Sequence, residues 1–142
     1  MLSRIDHLGI AVNDLDEALA LYRSGLGLEV HHREILQDQG VEAVALQVGE
    51  SAIELLRPIR DDSPVARFLA EHGPGIHHVA YRVDDIEAAL AHLKTAGVRL
   101  VDETPRIGLG GTRIAFLHPK STFGVLSELV ERPTAARGQR EG

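Results

Sequence analysis

The sequence predicts an α+β fold made of two successive βαβββ modules. Three observations lead there. The stretch Ile5-Asp6-His7-Leu8-Gly9-Ile10-Ala11-Val12-Asn13-Asp14 recurs 71 residues later as Ile76-His77-His78-Val79-Ala80-Tyr81-Arg82-Val83-Asp84-Asp85, setting His7 on His78, Val12 on Val83 and Asp14 on Asp85. Each copy then passes from a strand pattern into apolar spacing with a helical period. After each helix come short apolar runs parted by turn residues, as strands joined by turns require.

In order along the chain, Ser3 to Val12 read as the first strand, its register supported by the repeat. Asp14, three residues before Glu17, opens a helix in the manner of a capping box, and Leu15, Ala18, Leu19 and Tyr22 continue it until Gly25 and Gly27 end it. Leu28 to Leu36, Val41 to Val48 and Ser51 to Arg57 read as strands, turning at Gln39-Gly40 and Gly49-Glu50. Ser63 and Pro64 start a linking helix at about 63–72, with Val65, Phe68 and Leu69 as its apolar face, and His72-Gly73-Pro74-Gly75 stops it. The second module repeats the order, with a strand to Val83 and a helix from Asp85 to about Ala96. Strands follow near Val98 to Val101, Thr112 to Leu117 and Gly124 to Val130. The expected organisation is one domain over 1–132, with modules at about 1–60 and 74–132. The polar, non-periodic residues 133–142 are expected to be a disordered tail.

Composition narrows the chemistry. A chain of 142 residues buries about two-thirds of its unfolded surface, enough for a core without disulfides or structural zinc. The absence of cysteine excludes thiolate catalysis and leaves His, carboxylate or amide oxygen to hold any metal. It also makes the cytoplasm the expected compartment. No run of about 18 apolar residues is present to cross a membrane, and the charged first turn argues against a signal sequence. A net charge of −6 opposes nucleic-acid binding. An anionic substrate would need local cations such as Arg106, Arg113 and Lys120, or a bound metal, to hold it against that field.

Two carboxylates stand out. Glu54 in Ile53-Glu54-Leu55-Leu56 and Glu128 in Leu126-Ser127-Glu128-Leu129 lie inside apolar strand runs, where a carboxylate is costly unless paired, protonated or bound to a cation. They follow His7 and His78 by 47 and 50 residues. Two His and two Glu brought to one seam would form a shell for a divalent metal with positions left open. Taken singly, each has an ordinary role as a half-buried polar residue or a solvent-facing strand residue. Their matched placement in both copies is what favours a shared site. His77 alternates to the face opposite His78 and, like His31, His32, His72 and His92, reads as structural or solvated. For His118, in the turn His118-Pro119-Lys120-Ser121, substrate contact and a plain hairpin role are both open. The glycine run Ile107 to Thr112 precedes no helix, so it reads as a strand connection rather than a phosphate loop, with Arg106 and Arg113 flanking it.

Taken in order, these motifs resemble the vicinal oxygen chelate (glyoxalase-like) superfamily and, within it, the methylmalonyl-CoA epimerases. The likeness runs from Ile5 to Glu131. It is carried by Asp6-His7-Leu8-Gly9-Ile10, Glu54-Leu55-Leu56-Arg57-Pro58, Asp62-Ser63-Pro64, Gly75-Ile76-His77-His78, Ala115-Phe116-Leu117-His118-Pro119-Lys120-Ser121 and Gly124-Val125-Leu126-Ser127-Glu128-Leu129. The resemblance implies a curved mixed sheet around a metal site, with His7, Glu54, His78 and Glu128 as ligands of Co, Mn, Ni, Zn or Mg. Glu54 stands where some members carry glutamine. Glu128 would also be the catalytic base.

The same resemblance implies a homodimer and an acyl-CoA substrate, with His118, Lys120 and Arg113 as candidate contacts. The implied reaction interconverts (R)- and (S)-methylmalonyl-CoA by proton transfer α to the thioester through a metal-stabilised enolate. Ethylmalonyl-CoA stays open as a second substrate. A lactoylglutathione lyase type of isomerase is an alternative, although its last hairpin resembles Asp-Pro-Asp/Asn-Gly where this chain has His118-Pro119-Lys120. A non-catalytic small-molecule-binding protein of the same fold is another. Two positions depart from the family pattern. Ala43 stands where some members carry a second glutamate base, with Glu42 one residue earlier and so on the opposite strand face, and Phe123 replaces a small residue.

Overall fold

The computed structural model describes residues 1–133, so nearly all of the tail expected at 133–142 lies outside the described residues. The first module runs β1 (Leu2–Ala11), α1 (Leu15–Leu19), a π turn (Ala20–Gly25), β2 (Val30–Leu36), β3 (Val41–Val48) and β4 (Ser51–Pro58). After the linking helix α2 (Pro64–His72), the second runs β5 (Gly75–Val83), α3 (Ile86–Thr95), β6 (Arg106–Ile107), β7 (Arg113–Leu117) and β8 (Ser127–Glu131). Both are βαβββ. The helices start where side chains can satisfy their first free amides: Asp14 Oδ1 accepts from Glu17 N at 3.1 Å, Ser63 Oγ from Ala66 N at 3.0 Å and Asp85 Oδ1 from Ala88 N at 3.1 Å.

By packing, the chain forms two compact units, His7–His78 and Met1–Asp6 with Val79 onward, so β1 and β5 each change unit part-way. In the unit His7–His78 the strand order is β2-β3-β4-β1, with β1 parallel to β4 and the hairpin pairs antiparallel. One sheet face is aliphatic: Leu15 of α1 packs with Val44, Leu46 and Leu55 in a buried cluster that Ile10, Ile53 and Tyr22 border. The other face carries small buried residues, Gly9, Ala11, Ala43 and Ala45. Because side chains alternate along a strand, this division is set by a single register.

The other unit has the order β5-β8-β7-β6, again with one parallel pair, β5 and β8. Ile86, Ala89 and Leu90 of α3 pack on Val83, Ala115, Leu117 and Leu129. Ala80, Ile114, Phe116 and Val130 form a second cluster, with Leu126 packed against it. Asp6, only 1% exposed, lies in this unit. Arg82 Nε and Nη2 donate to its Oδ1 at 3.0 and 2.8 Å, and Arg132 donates to Oδ1 and Oδ2 at 3.1 and 3.0 Å. A buried carboxylate met by two guanidinium forks is compensated for its lost hydration.

Three elements differ from the sequence expectation. The first helix is α-helical only to Leu19 and then widens, with Leu26 N donating to Leu21 O at 2.8 Å, as the chain runs out through Gly25 and Gly27. The strand expected near Val98 to Val101 is reduced to one bridge, Leu100 with Leu117, and the paired strand is Arg106–Ile107 instead. Asp102 causes this: its carboxylate accepts from Phe116 N at 2.9 Å, taking the place of a strand carbonyl. The last strand begins at Ser127 rather than Gly124, because Phe123 and Gly124 hold positive φ values of 57° and 88°.

Candidate metal centre

The parallel pairing of β1 with β4 sets His7 opposite Ala52 and Gly9 opposite Glu54, so His7 and Glu54 share the small-residue face. His7 Nε2 lies 3.2 Å from Glu54 Oε2 and 3.2 Å from Nε2 of His78, which belongs to the same unit. The two imidazoles meet edge to face, centroids 5.3 Å apart at 85°. His7 and His78 are 5% and 3% exposed, and the Glu54 side chain 13%. One donor atom from each of the three falls within 4.8 Å of the others. Bonds of about 2.1 Å to one divalent ion would place neighbouring ligand atoms roughly 3.0 to 3.4 Å apart, so the donor set fits such an ion. Without a cation, two ring nitrogens at this distance must share a proton; a cation satisfies both lone pairs and offsets the partly buried carboxylate.

Gly9 makes the arrangement possible. A Cβ built there would lie 2.6 Å from His78 Nε2 and nearer still to Cε1 and Nδ1 of the same ring. The backbone of β1 is thus bare where the second histidine crosses it, a close approach that only glycine permits.

Glu128 is 4% exposed and lies in the other unit. Its register repeats that of Glu54. Glu54 pairs with Gly9, two residues past His7, and Glu128 pairs with Ala80, two residues past His78. The unequal sequence spacings have a plain cause. Leu46 and Ile53, paired in the first module, enclose six residues, whereas Leu117 and Ser127, paired in the second, enclose nine. The second hairpin includes a 3-10 turn at Pro119–Ser121.

Residues 6–116 match the model of a family described as the Glyoxalase/Bleomycin resistance protein/Dioxygenase superfamily. The ethylmalonyl-CoA/methylmalonyl-CoA epimerase of Cereibacter sphaeroides is 44% identical over 131 residues, covering 91% of this chain and 98% of that protein. The chain belongs to the methylmalonyl-CoA epimerase family of that superfamily. The crystal structure of the Mycobacterium tuberculosis methylmalonyl-CoA epimerase matches with a TM-score of 0.91 at 45% identity, over 96% of this chain and 93% of that one. A methylmalonyl-CoA epimerase in complex with methylmalonyl-CoA and NH4+ matches at 0.90 and 44%, over 92% and 95%. The βαβββ pair expected from the repeat is therefore the family's fold.

Against this family background, Ala43 is fully buried on the face that carries Glu54, since it pairs with Leu56, two residues on. Glu42 is on the opposite face and accepts from Arg33 Nε and Arg57 Nη2, each at 2.9 Å. Those two guanidinium bonds hold its carboxyl below the usual glutamate range. Glu42 therefore presents its carboxylate to Arg33 and Arg57, on the face away from Glu54.

His77 is where sequence reasoning fell short. Strand alternation puts its Cβ opposite that of His78, yet the Nδ1 atoms of the two rings lie 3.0 Å apart. The only signal in the sequence was the doubled histidine itself. His31 and His32 lie on edge strand β2, where His32 Nε2 meets Glu34 at 3.0 Å; His72 ends α2 and His92 is exposed on α3.

Among the basic candidates, Arg113 bridges Glu87 at 2.6 Å and Glu131 at 3.2 Å, and these carboxylates raise its pKa. His118 Nδ1 accepts from Lys120 N at 3.1 Å. Burial, then the positive charges of Arg99 and Lys120, lower the His118 pKa. The glycine run makes a tight turn at Leu109–Gly111 between β6 and β7, as expected. Arg106 meets Asp102 at 3.2 Å and lies 5.8 Å over the Phe116 ring. No helix among the described residues is long and apolar enough to cross a membrane.

Proposed function

We propose that this chain is a metal-dependent epimerase that interconverts (R)- and (S)-methylmalonyl-CoA. The observation that carries the reading is the buried triad His7, Glu54 and His78, in a chain that shares 44–45% identity with methylmalonyl-CoA epimerases over more than nine-tenths of its length. A divalent ion held there, whether Co, Mn, Ni, Zn or Mg, would supply Lewis-acid stabilisation of negative charge as it develops on the substrate's oxygens.

Glu128 is proposed as the fourth ligand and as the base, on the strength of its burial and of a register that duplicates that of Glu54. Its carboxylate takes the C2 proton, the electron pair passes toward the thioester oxygen, and a proton returned to the opposite face gives the other epimer. Ala43 presents no side-chain acid on the small-residue face and Glu42 is turned away, so water is proposed to serve the second face. Lys120 and His118 are kept as contacts for the phosphates of CoA, while Arg113 already has its charge matched by Glu87 and Glu131. Ethylmalonyl-CoA is proposed as a second substrate, since the Cereibacter relative is named for both. A cytoplasmic homodimer completes the reading, from the absence of cysteine and the family likeness.

Deuterium exchange at C2 of methylmalonyl-CoA in heavy water tests this directly. Exchange should require added metal, stop with chelator and be lost in Glu128→Ala. Undiminished exchange in the chelated protein would defeat the metal role, and full exchange in Glu128→Ala would defeat the base.

A further inference from the structure

We infer that His77 is a positioning residue that fixes the tautomer and ring plane of His78 for cation binding, with Phe68 of the linking helix holding the His77 ring. The inference rests on the metal reading above and extends it to a residue that reading leaves aside. His78 directs Nε2 toward His7 Nε2 at 3.2 Å and presents its other nitrogen, Nδ1, to His77 Nδ1 at 3.0 Å. A neutral imidazole has one protonated nitrogen and one lone pair. For Nε2 to offer its lone pair to a cation, the proton must sit on Nδ1, which then donates to His77 Nδ1. His77 accepts there and keeps its own proton on Nε2. Such an outer hydrogen bond orients the ligand ring and strengthens it as a donor.

The His77 ring is itself braced. It packs edge to face against Phe68, centroids 5.2 Å apart at 84°, and against His78 at 5.2 Å and 86°. Phe68 in turn contacts His72, one turn along α2, at 4.9 Å. Through this one aromatic side chain the linking helix braces the ring that bonds to a candidate ligand. Gly9 bounds the same His78 ring where a Cβ would overlap it, so the imidazole is confined by bare backbone on one side and by an acceptor at Nδ1.

The test separates the acceptor from the ring. Co2+ alone is titrated into the full-length protein against a competing chelator, with the visible absorption of bound cobalt as a second readout. His77→Phe keeps an aromatic ring against Phe68 but removes the acceptor, and should weaken Co2+ about 10- to 100-fold, the range for loss of a ligand's outer partner. His77→Asn brings an amide oxygen close to the place of Nδ1 and should recover most of that loss. Equal affinity in wild type and His77→Phe would overturn the inference, as would an equal loss in both variants, which would mark a merely structural role. Failure of wild type itself to take up Co2+ would remove the metal reading and this inference with it. Should His77→Phe not fold, nitrogen-15 spectra of the Zn2+-loaded wild type decide: His77 carrying its proton on Nε2 supports the assignment, and a proton on His77 Nδ1, which could then not accept from His78, overturns it.

Discussion

Glu54 and Glu128 occupy matched places in the two modules, but the strands beside them differ in bulk. Glu54 pairs with Gly9 on one side and Ala45 on the other; Glu128 pairs with Ala80 and Phe116. One step further along the same strands, Ala43 in the first module corresponds to Ile114 in the second. The residue before each repeat histidine also diverges, from a buried aspartate clasped by two arginines to a histidine bonded to its neighbour. The two modules thus share a hydrogen-bonding register, which decides where each carboxylate can be, while the volumes beside the two carboxylates differ. The first module pairs its carboxylate with residues that have almost no side chain; the second packs an aromatic ring beside its own.

Exchanging the smallest of these differences should have the largest effect. Gly9→Ala puts a methyl group into the space of the His78 ring. The expected outcome is a loss of Co2+ affinity of more than about 100-fold, because displacing a ligand costs more than losing its outer partner, and C2 exchange falls with it. The matched change Ala80→Gly should cost about 1 kcal/mol of stability and leave metal affinity within a few-fold. Chelator competition and urea melts measure both, and similar losses at the two positions would show the modules to be equivalent after all.

Asp6→Asn comes next. It removes the charge that joins Arg82 and Arg132 and should lower unfolding stability by about 2 kcal/mol, short of the full cost of breaking a buried pair because the amide keeps one acceptor oxygen. Denaturant midpoints at pH 7 read this out. Unchanged stability would mean that the two arginines find other partners in the variant.

The smallest effect is expected at Glu42. Glu42→Gln should leave C2 exchange at the wild-type rate, since the side chain points away from the small-residue face. Its folded pKa lies below the ordinary 4.5. The ion pairs therefore stabilise the fold fully above that value and fade as pH falls through the lower, folded pKa. Wild type and variant should differ modestly in urea midpoint at pH 7 and converge in acid. A loss of exchange in this variant would return Glu42 to the chemistry.

Much of this was legible in the chain alone, for an identifiable reason. The repeat sets His7 and His78 at matched places, so the modules and the caps at Asp14 and Ser63 follow from local patterns, whereas the grouping of His7 with Glu54 rests on their matched placement in both copies and on the family resemblance. What escaped was the part that depends on how side chains turn beyond Cβ. His77 bends toward His78 despite alternation, and no sequence period records that. Gly9 is one residue among ten in the repeated stretch, and its meaning lies in a ring that arrives from 69 residues further along. Asp102 displaced an expected strand with one side-chain bond, a competition between side chain and backbone that propensity does not resolve.

The clasp of Arg132 on Asp6 joins the opening strand to the last residues described, so the start and finish of the fold lie within one ion pair. A fold whose first strand and residue 132 meet in this way can be rewired. Tethering them with a flexible linker and cutting the exposed turn at Gly49-Glu50 would give a circular permutant in which the ribosome makes the second module before the strands of the first are complete. Such a permutant would reveal whether the order of synthesis matters to a protein built twice from one plan.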